Sequence, residues 1–109
     1  MNEIPNPEKL SDLILYTNRA CLGQIRPNMR KISIQYITEE NKVVLYVFCD
    51  KPFSQEELDY DVAGTILTEI ISDFPQKLKW EQEVQIIPYP KKLPENGVCV
   101  YQRYEPELD

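Results

Sequence analysis

The sequence contains no histidine and only three glycines. Lacking histidine, it has neither the usual general base near neutral pH nor the commonest transition-metal ligand. Three glycines leave little from which to build a phosphate-cradling loop, and no nucleotide-binding spacing occurs among them. Apolar runs are broken by charge well short of the roughly 18–20 residues that a membrane span requires, so no membrane partner is expected. Cysteine is sparse: Cys21, Cys49 and Cys99 are odd in number, widely spaced and each set in an apolar stretch. That is the pattern of reduced, buried thiols, not of a disulfide framework or a CxxC metal knuckle. Met1 to Pro5 show neither the basic start nor the apolar stretch of a secretory signal, and a cytoplasmic location is expected. Clustered basic charge is also missing. The net charge is −6, which argues against direct nucleic-acid binding, since phosphate recognition needs a concentrated Lys/Arg surface.

What is present suits one α+β domain over residues 1–109. A first helix is signalled by Asn6 as N-cap, Pro7 at the first helical position and apolar residues Leu10, Leu13, Ile14, Thr17, Ala20 and Cys21, with Gly23 as the stop. Two strands follow, 30–37 and 42–49, joined by the polar turn Thr38-Glu39-Glu40-Asn41. Pairing Ile37 with Lys42 puts Ile32, Ile34 and Tyr36 on one face with Val43, Leu45 and Val47, a coherent core face. The opposite face collects Lys31, Ser33 and Gln35 with Val44, Tyr46 and Phe48. The second strand is apolar on both sides, which places it centrally in the sheet.

Ser54-Gln55-Glu56-Glu57 is a capping box opening a long second helix. Its stripe of Leu58, Val62, Ala63, Ile66, Leu67, Ile70, Ile71 and Phe74 runs to the stop at Pro75. Gly64 inside this helix costs about 1 kcal/mol relative to alanine and marks a candidate close approach of the first helix. Two further strands, 80–87 and 98–104, are separated by the proline-rich connection 88–97. The order is α-β-β-α-β-β, expected to form a four-stranded, mainly antiparallel sheet with both helices on one face and the other face open.

Carboxylates are the only abundant titratable groups, so an enzyme here would need an acid pair. Glu39-Glu40 reads as a solvated turn and Glu56-Glu57 as a helix start favoured by the dipole. Asp59 and Asp61 do not face one another on a helix, and Glu81 and Glu83 alternate onto one strand face. Ser11, Ser33, Ser54 and Ser72 have no histidine to activate them, and no SxxK arrangement occurs. No catalytic, cofactor-binding or metal-binding residue is assigned.

Charge distribution is more informative. From Ser54 to Asp73 the acids Glu56, Glu57, Asp59, Asp61, Glu69 and Asp73 occur with no Lys or Arg, and they equal the whole net charge of −6. Glu57/Asp61 and Glu69/Asp73 are like-charge pairs at i,i+4 on a continuous helix, and Asp73 sits at the unfavourable end of the dipole. An ordinary solvated face is one reading; a surface kept for a basic partner is the other. A second candidate surface is the sheet face of Val44, Tyr46 and Phe48, extended by Glu81, Glu83, Tyr101 and Arg103, where aromatics and arginine beside carboxylates have the character of interface anchors. Its competing reading is a half-buried layer under the proline-rich connection.

Several stretches resemble small bacterial immunity proteins of contact-dependent growth inhibition and related polymorphic toxin systems. They are Ala20-Cys21-Leu22-Gly23 with Ile25-x-Pro27-Asn28-x-Arg30, Thr68-Glu69-x-x-Ser72-Asp73-Phe74-Pro75, Tyr89-Pro90, and Gly97 with Val100-Tyr101-x-Arg103. The resemblance implies a non-catalytic inhibitor that binds the C-terminal toxin domain of a secreted neighbour and blocks its active site. A basic nuclease, ribonuclease favoured, is the implied target. Two other classes fit the residues: an acidic adaptor or regulatory module unrelated to a toxin, and a carboxylate-dependent enzyme without histidine.

Overall fold

A computed structural model describes residues 4–106; Met1 to Glu3, part of the stretch read above for a secretory signal, lie outside the described residues. Helix α1 spans Leu10–Cys21 and strands β1 and β2 span Met29–Ile37 and Lys42–Cys49. Helices α2 and α3 span Gln55–Tyr60 and Val62–Ser72, and strands β3 and β4 span Lys79–Ile86 and Val98–Gln102. The fold is α+β, and no helix among the described residues is long and apolar enough to cross a membrane.

The central hairpin has the register that its polarity pattern demands. Ile32, Ile34 and Tyr36 stand opposite Val47, Leu45 and Val43, and Ile37 opposite Lys42. Asn41 closes the turn in the left-handed region at φ 50°, a conformation asparagine tolerates better than most residues. Both helical layers pack on this face. Leu13, Ala20 and Cys21 of α1 and Val62, Ala63, Ile66, Leu67 and Ile70 of α3 form one buried cluster with Ile32, Ile34, Val43, Leu45 and Val47.

The sheet order is β3-β2-β1-β4, which makes β2 central as expected. The sheet is mixed: β1 pairs antiparallel with β2 and β4, whereas β2 and β3 run parallel. The parallel pair follows from the connection, because a chain that leaves β2 and returns through a helical layer re-enters at the end where β2 began.

Several local expectations are corrected. Asn6 caps one turn early: its Oδ1 accepts from the Glu8 N–H at 3.0 Å, and α1 starts only after Lys9. The second helix is broken at Asp61, whose φ of 57° lies in the left-handed region. The capping box at Ser54 and Glu57 does open α2, but the break turns α2 away from the core, and Leu58 is exposed. Gly64 does not receive α1. A Cβ there would lie 2.1 Å from Asp61 Oδ2, so its smallness makes room for the Asp61 cap of α3, where Asp61 Oδ1 accepts from the Gly64 N–H at 3.1 Å. Cys99, on the short edge strand β4, is exposed and not buried.

The largest correction concerns the second face. The connection after β3 runs from one edge of the sheet to the other and covers the face opposite the helices. Ile87 and Leu93 pack there on Val44, Tyr46 and Phe48, with Ile37 beside them. Phe48 is fully buried, and its ring stacks on Tyr46 with centroids 6.2 Å apart. Apolar groups on both sides of a central strand need cover on both faces, and the proline-rich connection supplies it.

Candidate protein-binding surface

The partner residues expected from the sequence divide into three environments. Phe48 and Tyr46 belong to the second core: Phe48 has no exposed surface, and the Tyr46 hydroxyl donates to Gln35 Oε1 at 2.8 Å. Tyr101 lies on the helix side, opposite Ile32, and packs against the main core. The reason is a bulge in β4. Ile32 pairs with Tyr101 but Ser33 with Cys99, so Val100 is an extra residue that reverses the alternation beyond it.

Arg103 is held inside a charge cluster. Its guanidinium donates to the Pro27 carbonyl at 3.0 Å, to Glu105 Oε2 at 2.9 Å and to Asp50 Oδ2 at 3.4 Å. Arg30 meets the same Glu105 through two hydrogen bonds of 2.6 and 2.8 Å and donates to the Ile87 and Lys91 carbonyls at 2.8 and 2.9 Å. Arg30 is the extra residue of a bulge in β1, between Met29 opposite Cys49 and Lys31 opposite Phe48, which aims it at the connection. Asp50 Oδ1 accepts from the Tyr89 N–H, and the Tyr89 hydroxyl donates to the Pro106 carbonyl. The hydrogen bonds from Arg30, opposed by partial desolvation, hold the Glu105 carboxyl below the usual carboxylate range. The Tyr89 amide does the same for Asp50. These charges are used internally, to fasten the connection and the C-terminal segment to the sheet.

The remaining acids are differently placed. Glu57 closes the capping box and pairs with Arg26 at 3.5 Å. Glu81 and Glu83 share the Val44 and Tyr46 face of the sheet, as expected, and Glu81 reaches Lys42 at 3.9 Å. Glu69, Asp73 and Glu83 have no ion-pair partner among the described residues. Asp61 and Glu69 line a shallow cleft of about 450 Å³ between α3 and β3, together with Tyr60, Thr65, Trp80 and Gln82. Trp80 is 61% exposed and Tyr60 52%. Sequence reasoning missed these two aromatics, because Trp80-x-Gln82-x-Val84-x-Ile86 has the alternation of a core-facing strand. The signal was present in the composition: this is the chain's single tryptophan, set beside alternating acids.

Burial pushes the Cys21 and Cys49 thiols up to about 11, leaving them protonated and unreactive near neutral pH. Among the described residues no group of three or more cysteine, aspartate or glutamate side chains is placed to hold a metal ion.

Asp61 serves fold and surface at once, so its replacement needs care. Asp61→Ala should lose about 2 kcal/mol of stability, roughly half from the cap and half from the left-handed backbone. Asp61→Asn keeps the capping oxygen and the tolerance of positive φ and should stay within about 0.5 kcal/mol of wild type. Urea denaturation of the two variants measures the difference, and equal losses would remove the cap from the account.

The mixed-sheet α+β fold leaves Trp80 and Tyr60 exposed beside carboxylates, and aromatic residues are the types enriched at protein interfaces. The family model described as MafI2 immunity protein matches residues 10–105, and the chain belongs to that family. No curated protein matches it.

Proposed function

We propose that this chain acts in the cytoplasm as a stoichiometric, non-enzymatic inhibitor that binds the C-terminal domain of a cognate toxin and blocks its active site. The target is a basic nuclease, with a ribonuclease favoured. The observation that carries this reading is the α2–α3 segment, which has six acids and no Lys or Arg and whose Glu69 and Asp73 have no ion-pair partner among the described residues, beside the exposed Trp80 and Tyr60. Family membership supports the immunity role. A nuclease groove is cationic because it holds phosphate, so carboxylates on an inhibitor can occupy it and exclude the substrate. Exposed Trp and Tyr supply the apolar anchors on which most interfaces depend.

Titration of a cognate toxin domain with this protein should lower its nuclease activity linearly to an equivalence point near one-to-one. Inhibition by trace amounts of the protein would instead indicate turnover. Glu69→Lys and Asp73→Lys should each slow association by roughly 3- to 10-fold at low salt, with the effect shrinking as salt rises. Wild-type rates for both variants would take α3 out of the interface.

A further inference from the structure

The two edges of the sheet are finished differently. β4 is short and bulged. β3 has eight residues, no proline, and an unbroken register with β2. Long straight edges are templates for another strand unless charge or shape protects them. The Lys79 N–H donates to the Asn41 carbonyl and the Ile87 N–H to the Cys49 carbonyl, so odd-numbered residues of β3 bond to β2. Alternation then aims the N–H and C=O groups of Trp80, Gln82, Val84 and Ile86 at the open edge.

The side chains of that edge select what it can accept. Glu81 and Glu83 project on the connection side, while Trp80, Val84 and Ile86, all exposed, project on the helix side next to the acidic cleft. Antiparallel pairing of two β3 strands would gather four glutamates along one seam between molecules of net charge −6, and like charges on neighbouring strands repel. A second copy is therefore disfavoured, whereas a basic segment is attracted.

We propose that β3 accepts an extended segment of the toxin domain as a fifth strand, with basic side chains beside Glu81 and Glu83 and apolar side chains against Trp80, Val84 and Ile86. The inference rests on the toxin-binding reading above and specifies its mode: main-chain hydrogen bonds hold the segment, and alternate side chains give it specificity.

The test is amide hydrogen exchange on the full isotope-labelled chain, free and bound to an unlabelled cognate toxin domain. The amides of Trp80, Gln82, Val84 and Ile86 should exchange fast in the free protein and at least about 10-fold more slowly in the complex. Val84→Pro removes one outward N–H without touching the β2 ladder and should weaken binding about 10-fold or more, whereas Val84→Ala, which keeps the N–H, should stay within about 3-fold. Should Val84→Pro fail to fold, as judged by its melting curve, the exchange measurement on wild type decides alone. Binding with those four amides still fast would overturn the added strand while leaving the toxin reading intact. Failure of the wild-type chain to bind any toxin domain would remove both. A dimer in light scattering, with the four amides already protected in the free protein, would overturn the proposal in favour of a second copy.

Discussion

Phe48→Ala should destabilise the protein by about 4 kcal/mol, the usual cost of truncating a buried phenylalanine, and lower its melting temperature by roughly 20 °C. Phe48 is wholly buried, yet it lies on the sheet face away from the helices, roofed by Ile87 and Leu93 of the connection. The size of the loss therefore measures how firmly a segment without regular secondary structure closes a second core. Total stabilities of small domains are about 5–15 kcal/mol, so this one substitution could remove most of it. Calorimetry or urea denaturation checks it. A loss under about 1 kcal/mol would mean that the connection opens readily and leaves the aromatic layer accessible. Toxin affinity, measured at a temperature where the variant is folded, should be unchanged.

Glu105→Ala should cost about 3 kcal/mol, since breaking a buried ion pair leaves the remaining charge uncompensated. The Arg30 side chain is only 4% exposed. Without Glu105, two of its donor groups lose their acceptor, while the Ile87 and Lys91 carbonyls remain as partners. Arg30→Met should be similarly harmful, and the double variant should lose less than the sum, the signature of direct coupling. The same cluster sets an acid limb of stability. The carboxyl pKa of Glu105 is lower in the folded protein, chiefly through the hydrogen bond from Arg30, and that of Asp50 is lower chiefly through the Tyr89 amide. A depressed folded value means that the stabilisation is complete above the unfolded carboxylate range of about 4 and is lost as pH falls through the folded value. Stability should thus fall with acid below about pH 5, and Glu105→Gln should flatten that fall. An unchanged acid limb in the variant would assign it to other carboxylates.

Much of this fold was legible in the residues because period and punctuation agreed. The central hairpin, its register and the helix-facing core followed from alternation and one polar turn. The break at Asp61 was hidden, because Glu57 to Phe74 satisfies a helical stripe whether or not one residue turns left-handed. Gly64 was the visible clue, but its reason is a side-chain clash with Asp61 that no helical pattern displays. The bulge at Val100 moved Tyr101 across the sheet for a similar reason: one inserted residue changes face assignment without changing composition. Arg30, Tyr89 and Arg103 come from three separate stretches of the family resemblance, and only the folded chain brings them together with Asp50 and Glu105. Those residues keep the connection in place. The edge position of β3 was not legible in its residues because strand order is set by connections: a strand with core-like alternation can still stand at the margin.

The sheet order β3-β2-β1-β4 also fixes the sequence of chain closures. The β1–β2 hairpin forms from neighbours across one tight turn, and the parallel strand joins through the helical layer. The last edge pairs Ile34 with Val98, and Arg30 meets Glu105 across 75 residues. Contacts of such long range demand the most closure entropy before they return any energy. The proline-rich connection and the strand that follows it thus make contacts of very long sequence separation, and the second core that Ile87 and Leu93 cover is expected to close late in folding.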